Sequence, residues 1–275
     1  IKTLNEINKD LCSDNKMFRL LQGDVGSGKT IVSLLSAFNT INSNFQVAVM
    51  APTEILARQH FLLAKKLFPK NIKIELISGK STYKDKKSIL DKLSKREIDI
   101  IFGTHALFQK KIEFSDLGLI IIDEQHKFGV NQRKKLSDKG GKDCDVLLMT
   151  ATPIPRTLTM TVYGDMDLSI IKEKPNNRKP VKTYSKLESK IEDIIKFIKK
   201  EVDHGNQIFW VCPLIEESKK IDHTSAVKKS EYLKKLFPQE VYLLHGKTTI
   251  EEKEKILNKF LKNEFKILVS TTIIE

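Results

Sequence analysis

The sequence predicts an α/β protein with two units, each built on a parallel sheet, the second unit being incomplete. Short runs of Ile, Val and Leu alternate with stretches whose apolar residues recur at helical spacing. The runs are apolar at nearly every position, which is typical of strands covered on both faces. A stretch rich in Pro, Asn and charge at 172–180 interrupts the alternation, which then resumes. We therefore expect a first domain at 1–172, a linker at 173–182 and a second domain at 183–275.

Each element follows from this alternation in chain order. The first unit is expected to contain strands at 18–22, 46–50, 73–78, 98–102, 119–122 and 146–150. Helices are expected at 31–41, 54–68 and 83–94. The second unit is expected to contain helices at 191–202, 230–237 and 250–261, and strands at 208–211, 241–245 and 266–270. Strands separated by helices predict right-handed crossovers and parallel pairing.

Composition limits the class of protein and its partners. The 275 residues carry a net charge of +13, which favours a polyanionic partner. Three cysteines lie far apart with no CxxC pair, which indicates reduced thiols in a reducing compartment. No apolar run reaches the roughly 18 residues that a membrane span needs, so no membrane partner is expected. The chain has no initial Met and stops after a strand-like run, so we expect both ends to be cut.

Residues 23–30, GDVGSGKT, predict a phosphate-binding loop. They match G-x-x-x-x-G-K-[ST] and lie between a predicted strand and a predicted helix, as the motif requires. Glycines let backbone N–H groups approach phosphate oxygens, and the N-terminus of the next helix attracts the same anion. Lys29 would reach the β- and γ-phosphates, and the Thr30 hydroxyl would hold Mg²⁺. The predicted ATP-binding residues are Gly23, Asp24, Val25, Gly26, Ser27, Gly28, Lys29 and Thr30.

A second motif, LIIIDEQH at 119–126, predicts the catalytic carboxylates. It is a buried strand that ends in two acids, on a strand expected to neighbour the phosphate-binding loop. Asp123 would hold Mg²⁺ through water, and Glu124 would orient and deprotonate the attacking water. With Lys29 these two residues form the predicted catalytic set. A small-molecule kinase uses a substrate hydroxyl as nucleophile and needs no such second carboxylate, so hydrolysis is favoured.

A third stretch, MTATPIPRT at 149–157, also follows a predicted strand. The hydroxyls of Thr150 and Thr152 could bridge the acidic site and a partner surface. Taken by itself, the stretch is equally compatible with an ordinary proline-containing turn.

Together these stretches resemble the superfamily 2 helicases, in which GDVGSGKT, APTEILARQH, GTHAL, DEQH and TATPIPRT correspond to motifs I, Ia, Ib, II and III. The segments IIDEQHKFGVNQR and WVCPLIEES are similar to the RecG family of bacterial ATP-dependent DNA helicases, and the similarity runs along essentially the whole chain. The translocase module of the transcription-repair coupling factors shares GDVG-GKT and TATPIPRT and is the alternative.

The resemblance implies two RecA-like P-loop NTPase domains, with ATP and Mg²⁺ as cofactors and branched duplex DNA as partner, in a monomer of the bacterial cytoplasm. It also implies residues that couple the nucleotide site to DNA: Gln125, His126, Phe128, Thr150, Ala151 and Thr152. The DNA-binding residues that it implies, together with two arginines, are Pro52, Thr53, Arg58, Gly103, Thr104, His105, Arg133 and Arg156. Thr53 before Glu54 is also typical of a helix N-cap.

Arginine usage supports part of this set. Only six of the 48 basic residues are Arg, and Arg58, Arg133 and Arg156 lie in or beside the motifs. Arg presents a rigid bidentate fork that Lys cannot copy, so we expect these three to use it on phosphate or carboxylate. Residues 179–275 contain no Arg, and the resemblance implies an arginine finger in a later motif. We therefore expect these 275 residues alone not to couple hydrolysis to translocation.

The sequence leaves three functions to separate. The first is a DNA-dependent ATPase that translocates on duplex DNA and remodels branched junctions in recombination and repair. The second is the coupling-factor motor, and the third is a nucleotide-gated DNA-binding switch without turnover. The acid pair disfavours the switch, because a switch needs no strong water-activating base.

Overall fold

The computed structural model describes residues 1–79, 82–104, 107, 112–124, 144–152, 166–173, 180–212, 219–246 and 248–271. The chain divides into two compact units, Ile1–Pro180 and Val181–Glu275. The predicted linker at 173–182 includes residues 174–179, which lie outside the described residues. Each unit is described below by itself.

The first unit alternates strands and helices. Its described helices are α1 (Lys2–Leu11), α2 (Lys29–Asn42), α3 (Glu54–Leu67) and α4 (Tyr83–Ser94). Its described strands are β1 (Phe18–Gly23), β2 (Gln46–Met50), β3 (Ile74–Ile77), β4 (Ile100–Gly103), β5 (Leu117–Ile122), β6 (Asp145–Thr150) and β7 (Asp167–Ile171). Side chains define two of the helix starts: Thr53 accepts the Leu56 N–H, and Thr82 forms a capping box with Asp85.

These strands form one sheet in the order β3-β4-β2-β5-β6-β1-β7, and every pairing is parallel. Alternate residues face opposite sides, and both sides are apolar: Leu20, Ile120 and Leu148 pack in one core cluster, while Leu21 and Ile121 pack in the other. Both cores bury continuous Ile, Val and Leu runs, which explains the absence of polar alternation in the sequence. The predicted α/β class with parallel sheets is confirmed.

The second unit repeats the pattern on a smaller scale. Its described elements after a short 3₁₀ turn at Glu188–Lys190 are α5 (Ile191–Asp203), β8 (Ile208–Val211), α6 (Lys219–Leu236), β9 (Val241–Leu244), α7 (Ile250–Leu261) and β10 (Ile267–Ser270). Within the described residues the sheet has the order β8-β10-β9, with both pairings parallel. One side packs around Leu233, Val241 and Ile267, and the other packs around Phe260 and Phe265.

Two elements were not predicted, and α6 begins eleven residues before the predicted 230. The missed α1 and β7 are tied to β1 by polar contacts. Buried Arg19 of β1 donates from Nε to Asp10 Oδ2 at 2.7 Å and from a terminal nitrogen to Ser169 Oγ at 2.8 Å. Ser169 in turn donates to Glu6. The contacts of Ser169 are made by the tertiary fold, so local hydrophobic spacing carries little signal for the short β7. Helix α1, in contrast, has Leu4, Ile7 and Leu11 at helical spacing, a local signal that the prediction did not use.

Two observations concern the compartment and membrane predictions. Cys12, Cys144 and Cys212 are all free, and burial raises the pKa of the Cys144 thiol to about 12. In the part of the chain that the structure describes, no helix has the length and apolarity to cross a bilayer.

Candidate functional site

The loop at 23–30 connects β1 to α2 and has the backbone of an anion site. Gly26 and Gly28 have φ angles of 78° and 96°, a region that glycine adopts without steric cost. Gly28 is the N-cap of α2, and no side chain caps that end, so the first N–H groups of the helix point outward for an external anion. The Ser27 hydroxyl is buried without a hydrogen-bond partner, and Thr30 lies in the first turn of α2.

Lys29 is the charged centre of this loop. It is only 9% exposed, and its Nζ donates to Gly23 O at 2.7 Å and to Asp24 O at 3.0 Å. Burial lowers the pKa of Lys29, while the carboxylates of Glu124, Asp123 and Asp24 raise it by a smaller amount. The loop follows β1 and the predicted acid pair follows β5, and the two strands run parallel in one sheet, so both motifs lie at the same edge.

The acid pair follows the strand that the sequence predicts, although that strand has a different place in the sheet than expected. It follows β5, and β6 lies between β5 and β1, so β5 is not a direct neighbour of the strand that carries the loop. The prediction of a neighbouring strand is therefore wrong, because sheet order is set by long-range pairing that no motif encodes. Two strand spacings separate the backbones by about 9–10 Å, a gap that phosphates and a metal ion can occupy.

Asp123 is buried and held on several sides. Its backbone N–H donates to Met50 O at 2.8 Å, and its Oδ1 accepts the Glu124 N–H at 3.0 Å. Glu124 has a φ of 48°, a left-handed conformation that is uncommon for a residue with a Cβ and is found disproportionately at functional sites. The chain therefore turns sharply after Asp123, at the end of β5.

His60 is a residue of this site that the sequence analysis missed. It lies on α3, and its Nε2 is 2.8 Å from Asp123 Oδ2, with both side chains nearly buried. On the sequence, His60 stands in the middle of a helix beside apolar residues, where a core histidine is expected. A polar residue at a buried helical position next to a predicted loop motif is the signal that could have identified it.

The predicted coupling residues fall partly within the described structure. Thr150 ends β6, between the strands of the loop and of the acid pair, and its Oγ1 accepts the Thr152 N–H at 3.1 Å. Ala151 lies between them in the same turn. Gln125, His126 and Phe128 lie outside the described residues.

The predicted DNA-binding residues follow β2 and β4, whose carboxyl ends lie at the same edge. Pro52 and Thr53 are partly exposed, and Arg58 is exposed on α3. Gly103 is buried at the end of β4, where an added Cβ would lie 2.8 Å from Leu107. These placements are compatible with loop-tip contacts, but they also give Thr53 and Gly103 local structural roles.

Thr104, the next member of that set, is partly exposed directly after β4, and the other three, His105, Arg133 and Arg156, lie outside the described residues. The bidentate role expected for Arg133 and Arg156 stays a prediction. Two arginines outside the motifs do form ion pairs: Arg19 with Asp10, and Arg96 with Asp116 at 3.4 Å.

A metal ion at this edge would need ligands from its substrate. In the described ranges, no group of three or more His, Cys, Asp or Glu side chains gathers as a metal cage. Mg²⁺ is commonly held by one or two protein oxygens together with phosphates and water. The oxygen donors of Thr30 and Asp123 beside the Lys29 loop fit that pattern.

Comparison with known proteins places the chain among the helicases. Residues 3–161 match the DEAD/DEAH box helicase family, and residues 189–275 match the helicase conserved C-terminal domain. The chain is 48% identical over 276 residues to the ATP-dependent DNA helicase RecG of Streptococcus pneumoniae and 47% identical over 277 residues to that of Bacillus subtilis. Both matches cover the whole of this chain, which spans 41% and 40% of those two proteins.

A solved structure of RecG bound to a three-way DNA junction matches all of this chain with a TM-score of 0.76 and 40% identity. The chain covers 36% of that protein. The matched region of that structure covers both units of this chain. This chain therefore has the fold of the two helicase domains that the family matches identify.

Proposed function

This chain belongs to the DEAD/DEAH box helicases, a family of ATP-using enzymes, and on that premise we propose that it is the motor part of a DNA translocase that remodels branched DNA. The observation that carries the proposal is the meeting of Lys29, Asp123 and Glu124 at one sheet edge. We assign residues 1–172 to the first RecA-like domain, 173–182 to a linker and 183–275 to part of the second.

ATP hydrolysis follows from the chemistry of three side chains. The loop N–H groups and Lys29 bind the phosphates, because a buried ammonium and the N-terminus of α2 both favour an anion. Glu124 accepts a proton from the attacking water, which it also orients. Asp123 stays fixed by its contacts and presents oxygen toward the loop.

Magnesium is the cofactor that these residues fit. Thr30 and Asp123 supply the hard oxygen donors that Mg²⁺ prefers, directly or through water. When bound, the ion neutralises negative charge on the phosphates. The protein contributes the fixed positions of the two oxygens, one at the start of α2 and one at the end of β5.

Branched DNA is the proposed partner. The support is the RecG relative whose structure contains a three-way junction, together with the net charge of +13. Pro52, Thr53, Arg58, Gly103 and Thr104 are the described candidates for backbone contact, since loop-tip N–H groups and short polar side chains suit phosphate without reading sequence. The proposed setting is recombination and repair in the bacterial cytoplasm, with the protein acting as a monomer.

The two alternatives differ from this proposal in testable ways. The relatives reported above are RecG proteins, which favours the branched-DNA motor over the coupling-factor motor. A nucleotide-gated switch would bind ATP without turnover. The strained backbone of Glu124 next to a buried Asp123 favours catalysis, because a switch gains nothing from an activated water.

Glu124→Gln tests the proposal in the full-length gene product. We expect DNA-stimulated kcat to fall by about 10²–10⁴-fold while ATP binding is retained, because only proton transfer is removed. Steady-state ATPase and fluorescent-nucleotide binding measure the two quantities. Glu97→Gln makes the same chemical change at an exposed position and serves as the control.

Two results would count against the proposal. A Glu124→Gln protein with wild-type turnover would remove Glu124 from the chemistry and leave the switch as the better reading. Equal stimulation of wild-type ATPase by linear and by branched DNA would leave the motor but remove the branched substrate.

A further inference from the structure

The contact between His60 and Asp123 is one of the few buried polar pairs joining distant parts of the chain in the described residues. Nε2 of His60 lies 2.8 Å from Oδ2 of Asp123, and the two side chains are 9% and 11% exposed. An ionised carboxylate can only accept hydrogen bonds, so Nε2 must donate. A buried carboxylate without such a donor would lose much of its solvation without replacement.

Helix α3 fixes the position of the His60 side chain. Thr53 caps the start of the helix, and the residues that α3 buries are Ala57, His60 and Ala64, spaced three and four apart. His60 therefore lies on the apolar face that packs on the sheet. Its side chain reaches past that core to the end of β5, where Asp123 leaves the strand.

Asp123 is thus restrained on both carboxylate oxygens. Oδ2 is held by His60 and Oδ1 by the Glu124 N–H at 3.0 Å, while the Asp123 backbone is held by Met50 O. Each carboxylate oxygen has lone pairs beyond the one used, so capacity for a further ligand remains. Rotation of the carboxylate would break one of the two bonds.

We infer that His60 is a positioning residue, which orients the Asp123 carboxylate for the magnesium ion that accompanies the bound nucleotide. The inference rests on the proposed function, since it deepens the role of the same site. Outer hydrogen bonds to a ligating group commonly contribute 10–100-fold to metal affinity, by restricting the ligand to its binding orientation. His60 touches neither nucleotide nor water in this role.

The test uses the full-length gene product and measures metal binding rather than turnover. Mn²⁺ replaces Mg²⁺, and its binding in the presence of a non-hydrolysable ATP analogue is followed by electron paramagnetic resonance. We expect His60→Leu to weaken Mn²⁺ binding by about tenfold. In His60→Gln most of the Mn²⁺ affinity should be retained, because the amide nitrogen of Gln reaches the position of Nε2 and carries an N–H.

Ala64→Gly provides a matched control. Ala64 lies one turn further along the same buried face of α3, so its loss of stability mimics packing damage without touching Asp123. We expect Ala64→Gly to lower the melting temperature and to leave Mn²⁺ affinity unchanged. If His60→Leu does not fold, His60→Asn carries the same test, because the shorter amide cannot reach Asp123 Oδ2.

The outcomes separate the two proposals. If the wild-type protein hydrolyses ATP and His60→Leu binds Mn²⁺ as tightly as Ala64→Gly does, the positioning role is overturned and the proposed function stands. If wild-type protein neither hydrolyses ATP nor binds Mn²⁺ with the analogue, the proposed function fails first. Weaker Mn²⁺ binding in His60→Leu with recovery in His60→Gln supports the positioning role.

Discussion

Two sets of loops leave the carboxyl edge of the large sheet, and they hold their residues differently. The loop after β1 carries the buried ammonium of Lys29, which donates to carbonyl oxygens of its own loop. The loop after β5 carries the buried carboxylate of Asp123, which contacts His60 on a distant helix. The loops after β2 and β4 carry small uncharged residues: Thr53 caps its own helix, and Gly103 packs closely against Leu107 and Ile77. The same edge of the sheet therefore holds buried charged residues after β1 and β5, and residues after β2 and β4 that cap a helix or pack closely.

The difference teaches how each set should respond to mutation. Burying charge costs free energy that the fold alone does not require, so such groups are best explained by function. A helix cap or a closely packed glycine contributes to stability whether or not it also contacts DNA. Variants in the first set should lose chemistry at nearly constant stability, and variants in the second set should lose stability first.

The largest effect is expected for Lys29→Met. Nucleotide-dependent turnover should fall by at least about 100-fold, because the substitution removes the charged donor of the loop. The melting temperature should stay within about 2 °C, since burial of the Lys29 ammonium is unfavourable in the wild-type fold. ATPase assays and calorimetry measure the two responses. A large loss of stability with retained turnover would contradict the claim that buried Lys29 serves chemistry rather than stability.

The same variant has a pH signature. Burial lowers the pKa of Lys29, so the folded protein releases this proton at a lower pH than the unfolded chain. Between those two pKa values the unfolded state binds more protons, and the Lys29 contribution to stability rises with pH. In Lys29→Met this rise should be absent, which denaturant unfolding at increasing alkaline pH would detect.

Gly103→Ala is expected to have an intermediate effect, and in contrast to Lys29→Met it should lower stability rather than turnover. The new methyl group would meet Leu107 Cγ at 2.8 Å and the Ile77 carbonyl oxygen at 3.2 Å, so a buried side chain must move. Overpacking of this kind costs about 1–3 kcal/mol in unfolding free energy. Nucleotide affinity without DNA should be unchanged. Unaltered stability together with weakened DNA binding would assign Gly103 to DNA contact alone.

The smallest effect is expected for Thr53→Ala. Loss of the cap on the Leu56 N–H, a bond of 3.3 Å, should cost about 1 kcal/mol. Thr53→Ser keeps the hydroxyl and serves as the control. DNA affinity of both proteins at one salt concentration then isolates any phosphate contact, since weaker binding in Thr53→Ala alone would show that the hydroxyl also meets DNA. The salt slope should not change, because a neutral hydroxyl releases no counterion.

Most of the sheet could be predicted from local pattern. Strands such as Gln46–Met50 and helices such as Tyr83–Ser94 and Ile250–Leu261 have the predicted bounds, because apolar spacing and caps are local signals. Strand β7 escaped prediction because it is short and its Ser169 is held across the fold by Arg19. Helix α1 was overlooked although Leu4, Ile7 and Leu11 have helical spacing. The start of α6 escaped because its first residues are polar and lack a regular apolar stripe.

The sequence alone was enough to predict the chemistry that we propose for the site. GDVGSGKT and the acid pair predict a phosphate loop with a metal carboxylate and a base, because those residue types at that spacing serve little other purpose. Only the tertiary structure decided that β6 separates the two motifs and that His60 meets Asp123. Strand order and contacts across 63 residues depend on how cores pack, and local spacing does not encode that packing.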